Sequence, residues 1–377
     1  MLRVALALML AAMVTAPALA WEPQEFLVLL DGPMNVGPPT DADDALAQDM
    51  AKQGFTVAMW DAGKLDLCRK YGLKLAISAY PEWALLAHQV QDHPALWGYY
   101  LTDEPSEEQW PNWLSTIEGI RLVDPAHPWL INLTGGANHR RFIEALHPDL
   151  LSYDYYQWWW GRDSFFPLLE DHRASALAAG IPLFCWFEPN TNPETQHDDN
   201  AVPPPDNAQK VRQSVYSSLA YGVKGVQWFN FWMIYTPGTT AMRPWAQESV
   251  AVINHELKRL GPTLIRLTST EVFHTGDLPG GCRALPADWW VQTRTPDLVL
   301  GFFQHRDDPG HEYLMVANKS VEQRRWTVLH FTRPVRSVEK LDRSSGEWTA
   351  LDTGELGGSG AVAFILAPGD GELLRVK

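Results

Sequence analysis

The sequence predicts a (β/α)8 barrel followed by a smaller all-β region, and three observations carry that expectation. Between residues about 25 and 260, short apolar runs alternate eight times with amphipathic stretches. Many of those runs are almost unbroken, as strands buried on both faces of a parallel sheet must be. After about residue 262 the helical period is lost, and segments of alternating polarity follow one another between Gly, Pro and Asp turns.

Taken in order, residues 1–20 read as an export signal: Arg3 supplies the positive end, Val4 to Val14 the apolar core and Ala18-Leu19-Ala20 the small-residue cleavage site. That core is too short to span a membrane, and no later run of about 20 apolar residues occurs. The mature chain is therefore expected to begin near Trp21 and to be secreted or periplasmic. Residues 21–262 form the expected barrel, with strands at 26–31, 55–60, 73–80, 97–103, 129–133, 150–156, 181–187 and 223–231. Helical stretches fall near 43–53, 63–71, 82–91, 106–123, 138–147, 164–179, 206–221 and 243–260. Gly54, Gly72 and Gly180 stand where three of these helices should end. A doubly wound open sheet is the competing topology, but no Gly-rich phosphate loop follows any strand. Residues 263–377 read as an accessory β-sandwich, with strands at 289–293, 298–304, 312–317, 325–331, 335–341, 347–351 and 361–376. No flexible linker precedes it, so it should pack against the barrel.

Composition narrows the function. A net charge of −15 argues against general affinity for nucleic acid or anionic membranes. Three cysteines are too few for a disulfide framework; one bridge stays open, and Cys185, inside an apolar run, reads as a buried thiol. Eighteen tryptophans suit either a large core or the gripping of sugar rings, and composition does not separate the two.

The chemistry is written at strand ends. Leu96-Trp97-Gly98-Tyr99-Tyr100-Leu101-Thr102-Asp103-Glu104-Pro105 is an aromatic strand that stops in two acids and a proline. The proline should hold Glu104 extended, although an acidic helix start would read the same way. By strand count this run is the fourth, and the seventh ends alike in Phe187-Glu188-Pro189. Barrel active sites lie at strand C-termini. Two glutamates across such a mouth can flank a glycosidic bond, one protonated and one ionised.

These two strand ends make the chain resemble the clan A glycoside hydrolases, retaining (β/α)8 enzymes. The run 97–105 with Leu151-Ser152-Tyr153-Asp154 is similar to secreted bacterial glycosidase-like proteins distantly related to β-galactosidases. The resemblance implies Glu104 as acid/base and Glu188 as nucleophile. It also implies Tyr155 or Tyr156 as hydrogen-bond donor to the nucleophile, and Trp228 or Trp232 as the floor of the sugar site. Asp103 departs from the family, which carries Asn there; an ionised Asp only accepts hydrogen bonds, or raises the pKa of Glu104.

Other candidates at the mouth are Asp31 and Asp61, for which helix capping is the rival role, Asn132, Asp154, Tyr156 and one stacking tryptophan among Trp158, Trp159 and Trp160, with Trp158 favoured. Arg140, Arg141 and Arg162 read as solvated arginines before they read as an anion site. The loop 189–206 over Glu188 reads as a gating lid. Its His197-Asp198-Asp199 lacks metal-ligand spacing, so no metal and no cofactor is implied. The expected partner is a carbohydrate and the expected activity cleavage of a β-glycosidic bond; the rival is a barrel that binds glycans without cleaving them.

Overall fold

A computed structural model describes residues 21–377 apart from 33–35, 79–81, 237 and 357–358. The expected export signal, 1–20, lies outside the described residues. Eight parallel strands close a barrel in sequence order. They are β1 (Leu27–Leu30), β2 (Val57–Trp60), β3 (Lys74–Ser78), β4 (Leu96–Asp103), β5 (Trp129–Thr134), β6 (Leu151–Asp154), β7 (Leu183–Phe187) and β8 (Gly225–Trp228). Closure comes from β8 pairing back onto β1, Leu27 opposite Gly225 through Leu30 opposite Trp228. Alternation sorts each strand: Leu27, Leu29, Val57, Met59, Phe184 and Trp186 fill the barrel, while Val28, Leu30, Ala58, Trp60, Cys185 and Phe187 face the helices. Trp21 sits edge-on against Trp97 and Phe184 near the strand N-termini, with ring centroids 5.9 and 6.5 Å away.

The helices end where the glycines predicted. Gly72 and Gly180 are left-handed C-caps, and Gly54 has φ 84° just after the first helix. Thr40 and Asp43 form a reciprocal capping box at that helix's start. The fourth strand carries the irregularity that matters. Register shifts near Trp97 and between Tyr100 and Thr102 advance β4 against β3 and β5. Tyr100 and Asp103 would face opposite ways in a regular strand, but here both serve the barrel interior.

The C-terminal region is two antiparallel sheets. The six-stranded sheet runs β15 (Trp348–Ala350), β14 (Val338–Leu341), β18 (Gly371–Val376), β12 (Glu312–Asn318), β11 (Leu298–His305) and β9 (Leu267–His274). The four-stranded sheet runs β10 (Val291–Gln292), β13 (Arg325–Phe331), β17 (Ser359–Leu366) and β16 (Gly354–Leu356). Both contribute to one core that includes Leu298, Leu300, Phe302, Leu314, Leu329 and Phe364. The other face of β11, Val299 and Phe303, joins the barrel core, which explains the unbroken apolar run 298–303. At Gly301 a Cβ would overlap the carbonyl oxygen of Ala220, so only glycine lets β11 lie against the helix Asn207–Ala220. Ion pairs stitch the same seam: Arg212 and Arg343 both bind Asp370, and Arg212 also grips Glu256. The turn at 368–371 therefore anchors the sheets to the barrel.

One expectation needs correction. The sequence implies no strand at 267–274, yet β9 is an edge of the larger sheet. The helix Val252–Leu264 runs nearly into it, and Thr268, Thr270 and Glu271 hide its inward residues Leu267, Val272 and Phe273. The three cysteines are all free, Cys68 and Cys185 buried. Among the described residues no helix is long and apolar enough to cross a membrane.

Candidate active site

The strand ends bring together Asp31 from β1, Tyr100, Asp103 and Glu104 from β4, Asn132 from β5 and Asp154 from β6. Asn132 is the hub. Its buried amide nitrogen donates to Asp103 Oδ1 at 3.1 Å and to Asp154 Oδ2 at 3.3 Å. Its Oδ1 lies 3.1 Å from the hydroxyl of Ser152. Ser152 in turn lies 2.9 Å from Gln227 Oε1 and accepts from the Trp186 indole at 3.2 Å. One amide therefore spaces two carboxylates, and a buried polar network below it fixes the amide. Both amide hydrogens are used, so Asn132 is a positioning residue rather than a free substrate ligand.

Glu104 and Asp154 are themselves in hydrogen-bond contact. Two carboxyls bond only if one carries a proton, and the surroundings decide which. Burial, then the charges of Glu104 and Asp103, push Asp154 up to about 8. Glu104 is also raised, by partial burial and by Asp103, but the bond from Asp154 pulls it back. Asp154 is thus the more strongly raised of the two, while Glu104 is exposed at the mouth. Burial pushes Asp31 up to about 7, against a backbone hydrogen bond from Asn230. Burial and the carboxylates around it, Asp103 first, keep the Tyr100 phenol protonated. The charges that act on Asp31, Glu104 and Asp154 are those of neighbouring carboxylates.

Glu104 does not adopt the extended backbone expected before a proline. Its φ is 43°, in the left-handed region that non-glycine residues occupy at a cost of order 1–3 kcal/mol. Its N–H donates to the carbonyl of Asn132 at 2.9 Å, so the turn is held from β5. The chain reverses at Glu104 and presents its carboxyl across the mouth towards β6.

Glu188 sits at the same end of the barrel, near enough to Tyr156 to act on its phenol together with Asp154. It follows β7 on the inner side, is 1% exposed, and accepts from the Trp158 N–H at 3.0 Å through Oε1. Its Oε2 has no partner among the described residues. Burial pushes its carboxyl up to about 8, with the Trp158 hydrogen bond opposing. The carboxyls that act on Glu104 are those of Asp103 and Asp154. The buried phenol of Tyr156 feels Asp154, Asp103, Glu188 and Asp31, in that order, and burial above all keeps it protonated.

Several candidates are structural. Asp61 caps the turn Ala62–Lys64, accepting from the Gly63 N–H at 2.9 Å, and stands 3.8 Å from the Lys64 ammonium. Trp228 is fully buried on the helix side of β8, with its indole donating to Asn254 at 2.8 Å. Gln227 takes the inward position, so alternation turns Trp228 away from the mouth. Trp158 packs under Arg162 and Lys210, its indole donating to the Lys210 carbonyl and the Ser214 hydroxyl. Trp160, 47% exposed and edge-on to Tyr155, is the open ring of that triplet. Trp232 is also exposed, beyond the turn at Asn230. Arg140 pairs with Asp171 and Arg141 with Glu107.

The loop 189–206 is built as a wall. Asn190 and Asn192 donate across it to the carbonyls of Ala201 and Val202 at 2.8 Å each. Asn207 accepts from Thr191 and donates to the Pro189 carbonyl. Asn230 and Arg243 tie its far side through Asp199 and Asn200. Sequence reasoning missed Tyr100, Ser152, Trp186, Gln227 and Phe229. Phe229 packs on Tyr156 and Trp159 at the same end of the barrel. The signal for Tyr100 and Trp186 was an aromatic side chain beside an acid at a strand end, but which way each faces depends on strand parity.

No family model and no curated protein matches the chain. Solved structures do match its fold. One described as a glycoside hydrolase has a TM-score of 0.64 at 14% identity, covering 93% of this chain and 92% of that one. A glycoside hydrolase family 5 protein of Bacteroides vulgatus scores 0.61 at 13% identity, covering 93% and 89%. A cycloisomaltooligosaccharide glucanotransferase of Paenibacillus sp., solved with cycloisomaltoheptaose, scores 0.61 at 7% identity, covering 92% and 84%. The chain is distantly similar to glycoside hydrolases, and the likeness spans barrel and C-terminal sheets together.

Proposed function

We propose that the protein is an exported glycoside hydrolase, with the two C-terminal sheets forming an accessory β-sandwich. Glu104 and Asp154 carry the reaction. What supports this pair is that the two carboxyls act directly on one another, with burial and neighbouring charges raising Asp154 to about 8 while Glu104 is exposed at the mouth. Carboxyls in one cleft whose environments divide proton and charge are suited to acid and nucleophile. In the first step Asp154 protonates the departing oxygen while Glu104 attacks the anomeric carbon, so the glycosidic bond breaks as a glycosyl ester forms. Asp154, now ionised, takes a proton from water, and that water's oxygen displaces Glu104. A retaining mechanism needs the two carboxyls about 5–5.5 Å apart, so a sugar entering the cleft must replace their mutual hydrogen bond. Asn132 fixes Asp154 during this change. Cleavage of a β-linkage follows from the resemblance of the 97–105 run.

The second reading keeps Glu104 as acid/base and makes Glu188 the nucleophile. The unpartnered Oε2 of Glu188 favours it, since a nucleophile needs a free oxygen. Against it stands the burial that keeps Glu188 protonated at neutral pH.

A screen of aryl-glycosides and of plant and algal polysaccharides, followed by Glu104→Gln, Asp154→Asn and Glu188→Gln on a responding substrate, tests both. The expected result is a fall in kcat of at least about 10³-fold for the first two and under about tenfold for the third. A large loss in Glu188→Gln with near-normal Asp154→Asn would move the reaction to β4 and β7. Binding of glycans with no turnover of any would replace catalysis by the binding-only reading.

A further inference from the structure

The four-stranded sheet turns one face to the shared core and the other to solvent. Thr327, Leu329 and Phe331 of β13 point inward, as do Val362, Phe364 and Leu366 of β17. The outward residues are Trp326, Val328 and His330 on β13, and Ala363 and Ile365 on β17. A solvated sheet face ordinarily carries polar side chains. Here Trp326 is 64% exposed, and Ile365, directly opposite it in register, is exposed as well. Two shallow recesses of about 560 and 540 Å³ adjoin on this face, sharing Arg294 and His330.

The charge there runs against the rest of the chain. The protein carries −15, yet no acid lines either recess, and three arginines do. Arg325 is spent on Asp297. Arg294 and Arg324 are exposed, and among the described residues neither has a hydrogen-bond or ion-pair partner. The contrast with Arg140 and Arg141, both paired beside the barrel mouth, is direct.

We propose that this face binds an acidic polysaccharide through its uronate carboxylates. The flat Trp326 ring takes the face of one sugar. Arg294 and Arg324 offer planar guanidinium forks that match a carboxylate with two parallel hydrogen bonds. A protein partner fits less well, since a stable interface buries about 800 Å² on each side around an apolar centre, and this face offers few large apolar side chains. Nucleic acid places a charge every ~1.7 Å of helix, too dense for two free arginines on a chain this acidic. The inference rests on the carbohydrate reading of the barrel but concerns a different ligand. Uncompensated carboxyls crowd the mouth, so the uronate chain is an anchor and not the substrate.

The test is affinity electrophoresis and calorimetry of the full chain with polygalacturonate, neutral dextran and duplex DNA, in the Asp154→Asn background so that no probe is consumed. Polygalacturonate should bind, more weakly as salt rises, and dextran should not. Trp326→Ala and the double change Arg294→Ala with Arg324→Ala should each weaken binding at least tenfold, with Tm unchanged because all three side chains are exposed. In the wild-type background the same variants should turn over an aryl-glycoside normally. Absent binding, equal binding of dextran, tighter binding of DNA, or variants that bind as the parent does would each overturn the proposal. Binding without turnover would leave this surface standing and remove the hydrolase reading; turnover without binding would do the reverse.

Discussion

Two groups of buried acids in this molecule meet the same problem with opposite solutions. At the seam between barrel and sheets, Asp370 is largely buried, which alone would raise its pKa, but Arg343 and Arg212 outweigh burial and hold it below the usual range. At the barrel mouth Asp154 is buried to a similar degree, and the charges beside it are carboxylates, so burial and repulsion add and it rises to about 8. Asp370 is ionised and fastened, whereas at Glu372 beside it burial outweighs Arg343 and Lys340 and keeps the carboxyl raised. The mouth acids keep protons that can be given away. Burial is common to both, and two arginines at Asp370 against carboxylate neighbours at Asp154 make one a fastener and the other a reagent.

Removing the cation should turn a seam acid into a mouth acid, and this is the largest stability effect expected. Arg343→Met leaves Asp370 and Glu372 buried with one partner fewer. Breaking such a pair costs roughly 3–5 kcal/mol, measurable by denaturant unfolding at pH 7. The loss should shrink as pH falls and the stranded carboxyl takes up a proton. Turnover below the unfolding transition should stay unchanged. An equal loss of turnover would mean that the seam positions the mouth.

The next effect runs the other way. Glu188 has a folded pKa near 8 against an ordinary value near 4.5, so the folded state holds a proton that the unfolded chain has released. Its contribution is fully present below the unfolded pKa and is lost as pH rises through about 8. At about 1.4 kcal/mol per unit, Glu188→Gln should stabilise the protein by roughly 3–5 kcal/mol at pH 9 and change little at pH 4. Gln still accepts from the Trp158 N–H. A variant no more stable than the parent at pH 9 would place Glu188 in contact with water or a cation.

Much of this was legible from sequence, and the reason is burial on both faces. Eight parallel strands covered by helices read as eight apolar runs, and Gly72 and Gly180 mark their punctuation. Strand count also put Glu104, Asp154 and Glu188 at one end of the barrel. What sequence could not supply was parity. The register shifts of β4 decide that Asp103 joins Tyr100, and alternation on β8 gives Gln227 the interior and Trp228 the helices. Nor could it supply pairing: the amide between Asp103 and Asp154 comes from a strand 22 residues before Asp154 and 29 beyond Asp103. Symmetry of strand endings pointed to β4 and β7, and it carried no sign that Asp154 of β6 also acts on Glu104.

A smaller effect probes that amide. Its hydrogen bond lowers the pKa of Asp154 against burial and the charges of Glu104 and Asp103. Asn132→Ala should raise the alkaline limb of the kcat profile by about one unit, since losing a hydrogen bond to a charged group is worth ~1.5–3 kcal/mol and water recovers part of it. A purely structural role would lower stability without moving the limb.

The smallest effect separates a carboxylate of the seam kind from one of the mouth kind at a single residue. Asp61 follows a barrel strand on the active-site side, as Asp31 does, but it has Lys64 nearby and a backbone N–H to accept from. Asp31 has burial and the Asp103 charge instead. Asp61→Ala should therefore behave as the loss of a cap, about 1 kcal/mol by thermal or denaturant unfolding, with kcat and KM unchanged. Lys64 keeps Asp43 at 3.2 Å and the Gly37 carbonyl at 2.8 Å, so the ammonium is not left stranded. Asp31→Ala should do the reverse, relieving a buried acid while disturbing the charge balance that Asp103 and Tyr100 share. A rise in KM for Asp61→Ala at unchanged stability would show a sugar hydroxyl reaching this side of the mouth, and the line between fastener and reagent would then run through the second strand.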